Sequence, residues 1–267
     1  MRLAPCALFV LVSVSTASAQ TPSRAQLVLT ILGGAVTGHS LSEVARQPVA
    51  VAGVPGAYDT LHLVREISSS IVVGASATYF FSPHLGMHAE ISYLGLPYDD
   101  SCTDLHVSPT DSGRIQEACN DIAARPGAGG AISLFLGATL RGSPAGTLSP
   151  YLRGNIGVVS TPHSYVEVLG NYQTNLGPEP VLVIQDPGPR SGAPLFGLAA
   201  GITQPLGKDG GYQFRLELRD AITSFEQVTG AADPATLLAP TEIRTYHHFS
   251  LVIGLDVVLE KARGRRY

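Results

Sequence analysis

An all-β, eight-stranded antiparallel up-and-down transmembrane β-barrel is the fold class that this sequence predicts, and three observations predict it. Large apolar residues alternate with small or charged ones along segments of about ten residues, the length of a tilted strand crossing a bilayer. Beyond residue 19 no apolar run reaches 18 residues, so spanning helices are not expected. The connections between segments switch regularly between short and long, which places short periplasmic turns on one rim and long extracellular loops on the other.

Residues 1–19, MRLAPCALFVLVSVSTASA, form a predicted secretory signal peptide. Arg2 supplies the positive charge, residues 7–14 the apolar stretch, and Ala17 and Ala19 the small residues that signal peptidase requires. Cleavage before Gln20 leaves residues 20–267 as one outer-membrane β-barrel domain, since no Pro/Gly/Ser-rich stretch divides them. With 14% charged residues and a formal net charge of −4, the chain lacks the basic face of a nucleic-acid binder. Gly and Pro recur every few residues and helix formers are concentrated nowhere, so helices are not expected.

The eight predicted strands lie near residues 26–38, 69–82, 84–96, 130–141, 150–162, 194–205, 212–222 and 248–260. The seventh is the clearest: Tyr212, Phe214, Leu216 and Leu218 share one face, and Gln213, Arg215, Glu217 and Arg219 the other. In the eighth, Phe249, Leu251, Ile253, Leu255 and Val257 oppose His248, Ser250, Gly254 and Asp256. The third sets Leu85, Met87, Ala89, Ile91 and Tyr93 against Gly86, His88, Glu90 and Ser92. The second, fourth and fifth follow the same parity, whereas the first and sixth are apolar or glycine on both faces and are placed by length and spacing. Short connections fall at 82–84, 142–149 and 207–211, and long ones at 40–68, 97–129, 163–193 and 223–244.

Alternation alone does not say which face is inside. A soluble barrel buries its apolar face around a ligand, and a membrane barrel turns that face to lipid. The polar face here is rich in Gly and Ser, as the narrow interior of eight strands requires, and it carries both signs of charge. Charges inside a barrel must pair, so Glu90, Arg153, Arg215, Glu217, Arg219 and Asp256 are expected to form an interior polar network. A solvated outer face would be expected to carry lysine, and the chain has only Lys208 and Lys261. Phe81, Tyr93, Tyr151, Tyr212 and Tyr246 stand near strand ends, where interfacial aromatic girdles sit, although Tyr151 falls on the inward parity.

In architecture the chain resembles the small eight-stranded outer-membrane barrels, the group of the OmpA transmembrane domain, OmpX and OmpW, over nearly all of residues 20–267. Its closing strand, HHFSLVIGLDVVL at 247–259, is similar to the last strand of that broad barrel family. It departs from the family in carrying a basic tail, residues 261–266, before the terminal Tyr267. The resemblance implies an integral outer-membrane location and no cofactor.

Several constellations could carry chemistry. His248 and Ser250, two apart on a strand, with Glu260 beyond, are similar to the triad of lipid A deacylases, but Leu251 replaces the Asn that follows the Ser there, and the parity points both residues inward. His88, Glu90 and Ser92, with His84, could ligate a metal only with partners from other strands, so network membership is expected and no metal site. Asp99, Asp100, Asp104 and Asp111 surround Cys102 and Cys119, at spacings that do not match a calcium-binding loop. In an exported chain that cysteine pair predicts a disulfide stapling a solvated acidic loop. Residues 178–190 are proline-rich and either extend a hairpin beyond the membrane or stay mobile.

The expected function is that of a non-enzymatic integral outer-membrane barrel, serving envelope structure, surface interaction through the long loops, or narrow solute passage. Its expected partners are outer-membrane lipid and a ligand taken by those loops. A lipid A-modifying enzyme and a secreted soluble barrel holding an apolar ligand are the alternatives.

Overall fold

The computed structural model describes residues 25–260, except 112, 126, 128, 143–147, 162–164, 187, 189–191 and 208–210. The predicted signal peptide, residues 1–19, and the basic tail, residues 261–267, lie outside the described residues.

Eight strands close into one antiparallel barrel: β1 (Gln26–Val36), β4 (Ser70–Phe80), β5 (Leu85–Gly95), β7 (Gly130–Arg141), β8 (Ser149–Ser160), β11 (Ala193–Leu206), β12 (Tyr212–Val228) and β13 (Thr241–Glu260). Closure comes from β1, which pairs with β13 from Gln26↔Glu260 to Val36↔Ser250 and with β4 from Gln26↔Phe80 to Val36↔Ser70. All eight strands fall where expected, six by their alternation and β1 and β11 by length and spacing. The poor alternation of β1 has a physical reason. Its inward residues run Val28, Thr30, Leu32, Gly34 and Val36, because the barrel is apolar inside near the long-loop rim.

Glycine marks the narrowness of the lumen. A Cβ on the inward Gly137 would collide with the carbonyl of Gly154 and with Asn155 on the neighbouring strand, so no larger residue fits without moving backbone.

Above one rim the chain builds a second layer, a cap, from the four long connections. The first forms β2 (His39–Ala50) and β3 (Tyr58–Ile67), which pair with β6 (Tyr98–His106) of the second in a three-stranded sheet. The third forms a hairpin of β9 (Val168–Thr174) and β10 (Gly177–Ile184), so of the two states open for this proline-rich segment the hairpin is the one adopted. The fourth is shorter than expected, because β12 and β13 stay paired beyond the rim as far as Val228↔Thr241.

One expectation fails outright. The second connection contains a helix, α1 (Arg114–Ala124). Its apolar residues Ile115, Ala118, Cys119 and Ile122 recur at helical spacing and are all buried, which is enough for a short amphipathic helix docked on β6 and β9. Asp111 accepts a hydrogen bond from the Ile115 amide (3.1 Å) at its start.

The cap has its own hydrophobic core, including Val44, Leu61, Leu63, Ile115, Ile122, Val168 and Val183. A second cluster, including Leu32, Val72, Leu94, Phe135, Leu195 and Phe225, fills the upper barrel beneath it. The side chain of Gln47, 0% exposed, ties the cap to the segment after β12. Its Oε1 accepts from the Ala232 amide (2.8 Å) and its Nε2 donates to the Ala232 carbonyl (3.2 Å).

Candidate functional site

Inward and outward faces of the barrel have opposite chemistry. Outside, Ile31 is 74% exposed, Met87 66%, and Leu136 and Ile156 65% each, within a belt of large apolar side chains that runs around every strand. Water would impose a heavy cost on so large a continuous apolar surface; the hydrocarbon of a bilayer would not. Exposed Tyr79, Phe81, Tyr212 and Phe214 stand toward the short-turn ends of their strands, and Tyr93, Phe196 and Phe249 toward the long-loop ends. Tyr246 corrects the girdle expectation by pointing into the structure, and Tyr151 follows its inward parity. The Tyr246 hydroxyl donates to the Leu41 carbonyl (3.2 Å), joining barrel and cap.

The lower half of the lumen is charged. Arg219 lies between two carboxylates, with Nη1 2.6 Å from Glu90 and Nη2 2.6 Å from Glu217. Arg153 Nη1 stands 3.1 Å from Glu217 and 3.8 Å from Glu90. Arg215 donates to Asp256 (2.9 Å), which also accepts from the Thr30 hydroxyl (2.8 Å). Thus β5, β8, β12 and β13, far apart in sequence, bring Glu90, Arg153, Arg215, Glu217, Arg219 and Asp256 into one cluster of three cations and three anions, each buried. Charges of this kind persist in a low-dielectric interior only when paired and hydrogen-bonded.

Three inward aromatic residues complete this part of the lumen, and one of them bonds the network. The Tyr151 hydroxyl donates to Glu217 (2.5 Å), for which the inward parity of Tyr151 was the available signal. Phe80 and Phe135 are buried as inward aromatics on otherwise small-residue faces, Phe80 beside Arg153, Arg215 and Asp256 and Phe135 in the apolar cluster above. His88 belongs to the network's edge, contacting Thr78 (2.9 Å) and Glu90 (3.4 Å), while Ser92 bonds Glu90 (3.1 Å) and Ser133 (2.8 Å). His84 is elsewhere, at the short-turn rim against the Arg141 carbonyl (3.1 Å).

The upper half of the lumen corrects a further expectation, because it is apolar and not a continuation of the polar face. His248, 0% exposed, sits in this layer with Phe225 edge-on (5.6 Å between ring centroids). It makes no triad. Ser250 is buried beside it in the lumen, and Glu260 ends the same strand ten residues on, roughly 33 Å away along an extended chain. Above His248 lies His39 of the cap, 4.9 Å between centroids, itself stacked on Tyr246 at 4.7 Å. Among the described residues none hydrogen-bonds the ring nitrogens of either histidine.

Burial holds the His39 imidazolium below the usual histidine range, so the neutral ring is the one the fold accommodates. An unfolded His39 takes its proton near pH ~6.5. The stability this ring contributes is therefore complete above that value and declines as pH falls toward its lower folded value. Amide exchange in β2 is expected to rise several-fold between pH 7 and 5 after correction for intrinsic rates, and less so in His39→Phe. Unchanged protection down to pH 5 would contradict this.

In the cap, Cys102 of β6 and Cys119 of α1 are joined by a disulfide, with Cα atoms 5.3 Å apart. Of the acidic residues around it, Asp100 and Asp111 are structural partners, while Asp99 and Asp104 lie exposed as expected of a solvated loop. Asp100 accepts two hydrogen bonds from the buried Arg65 (2.6 and 2.7 Å), Asp99 bonds Ser68, and Asp111 caps α1; Asp104 alone of the four is exposed without a described partner. Arg65 also donates to the carbonyls of Tyr165 (2.8 Å) and Glu167 (2.9 Å), locking the third connection onto the sheet. Nothing in the local sequence around Arg65 signals this, since its partners lie 35 to 102 residues away.

No family model and no curated protein matches this chain. Among solved structures it is similar to small outer-membrane barrels. Neisserial surface protein A shares 10% identity, with 87% of this chain and 97% of that one covered and a TM-score of 0.37. The outer membrane protein OprG from Pseudomonas aeruginosa shares 10%, with 90% and 97% covered and a TM-score of 0.48. The outer membrane protein AlkL shares 10%, with 96% and 99% covered and a TM-score of 0.41.

Proposed function

We propose that this chain is a non-enzymatic integral protein of a bacterial outer membrane, whose barrel anchors a folded, disulfide-stapled cap at the cell surface and whose cap binds ligands there. The observation that carries the reading is the inversion of the barrel. Its exposed face is an apolar belt and its lumen is filled by paired charges below and apolar side chains above. A soluble carrier of apolar ligands needs the reverse. The oxidised cysteine pair suits an oxidising compartment outside the cytosol, and residues 1–19 supply the export signal.

Narrow passage along the axis is the weakest of the expected roles, because eight strands leave little lumen and the side chains named above occupy it. Purified full-length protein in planar bilayers is expected to show no conductance above the lipid baseline; discrete channel openings would overturn the closed-lumen reading. Fractionation tests the location. The chain should stay with outer membranes through a carbonate wash and run faster on gels unheated than boiled, and recovery in the aqueous fraction would sink the proposal. Ser250→Ala should leave lipid A acylation unchanged in cells that express the protein.

A further inference from the structure

We infer that the outer edge of β6, the last strand of the cap sheet, takes up an extended, basic segment of another protein as an added β-strand. The bridge at its first residue sets the direction of that edge. The Tyr98 N–H donates to the Gly127 carbonyl (3.1 Å), and the Tyr98 carbonyl accepts from the Gly127 amide (2.8 Å). Backbone groups alternate in side along a strand, so Asp100, Cys102 and Asp104 also turn their N–H and C=O outward, while the residues between them bond β3. Beyond Gly127 nothing among the described residues pairs with this edge. The solvent face is open as well. Asp99, Ser101, Thr103 and Leu105 are exposed on it, Leu105 by 52%, whereas α1 is tied to the other face through Cys102 and Cys119.

Such an edge is a template for strand addition, in which backbone hydrogen bonds supply affinity and side chains supply selectivity. The opposite edge of the sheet is blunted. On β2, Pro48 lacks an N–H, and the side chains of Tyr246, Gln47 and Arg114 donate to the carbonyls of Leu41 (3.2 Å), Pro48 (2.9 Å) and Ala50 (3.0 Å). β6 has neither proline nor lysine to guard it. Charge selects the partner. The three strands hold six Asp and Glu against two Arg and no Lys; Arg65 is bound to Asp100, and Arg46 lies on β2, across the sheet. Pairing β6 with the same strand of a second copy would set Asp against Asp. Lysine or arginine on an incoming strand instead meets the exposed Asp99 and Asp104.

The inference deepens the surface-binding reading above and rests on it. Calorimetric titration of the detergent-solubilised full chain tests it with a short peptide of alternating lysine and valine. The controls are the same peptide with glutamate for lysine, and the lysine peptide N-methylated along its backbone, which keeps its charge but donates no strand hydrogen bond. The lysine peptide should bind saturably in the micromolar range, and each control about tenfold more weakly or worse. Asp104→Lys should weaken the lysine peptide about fivefold or more. Amide exchange should slow at Cys102 and Asp104 in the complex and stay unchanged in the barrel. Equal binding of the methylated control would reduce the contact to charge alone and overturn strand addition. No binding at millimolar concentration, or an unaffected Asp104→Lys, would overturn the proposal too, as would a dimer of the unaltered chain that the peptide dissociates, which would assign the edge to a second copy. The probe comparison on the unaltered chain stands even if a variant misfolds. Failure to bind in a protein that still shows heat-dependent gel migration rejects this edge alone and leaves the outer-membrane reading standing.

Discussion

Replacing Arg219 by methionine is expected to cost about 3–5 kcal/mol of barrel stability, the largest effect of any single substitution considered. Methionine keeps much of the side-chain volume but takes from Glu90 and Glu217, 4% and 1% exposed, their closest cation, and leaves two cations against three anions in the cluster. The cost comes from uncompensated buried charge, not from the net worth of the ion pair, since the desolvation of three charges offsets most of their attraction. A control separates these causes. Adding Glu90→Gln to the methionine variant restores the charge balance, with Arg153 on Glu217 and Arg215 on Asp256, and should recover a large part of the loss. Urea unfolding in detergent, followed by heat-dependent gel migration, reads both; a single variant within 1 kcal/mol of the parent would mean that water reaches this part of the lumen.

The second large effect concerns the cap. Reducing the Cys102–Cys119 bond, or replacing both cysteines by serine, is expected to destabilise the cap by about 3 kcal/mol while the barrel stays folded. The bond closes a loop of 17 residues in sequence separation, and both ends are anchored, one on β6 and one on the buried face of α1. Serine at 119 also places a hydroxyl in the cap core, which adds to the loss. Protease digestion of whole cells should then cut within residues 97–129, while the barrel keeps its heat-dependent migration. A cap as resistant as the parent would show that Arg65 and the hydrophobic core suffice without the staple.

The two variants fail in different layers, which reflects how the chain divides its work. The barrel is held by its ladders and by one charge cluster; the cap is held by a small apolar core, a disulfide and the Arg65 clamp. The seam between them depends on Gln47, Tyr246 and the paired imidazoles, so weakening either layer leaves the other able to report the change.

By itself the sequence determined the barrel: period-two alternation assigns a face to each residue of a strand, and connection lengths order the rims. That is why strands such as β12 and β13 could be read residue by residue, and why six charges could be placed inside before their partners were known. The cap was legible only in fragments. The helical spacing of Ile115, Ala118, Cys119 and Ile122 was present but short, and Gly and Pro nearby masked it. Tertiary structure decided the rest, because its causes are distant in the chain. Arg65 finds carbonyls a hundred residues on, His39 meets His248 across the seam, and the apolar upper lumen exists because a folded cap seals it from water. Alternation says which way a side chain points, but what it meets depends on which strands the barrel sets beside one another.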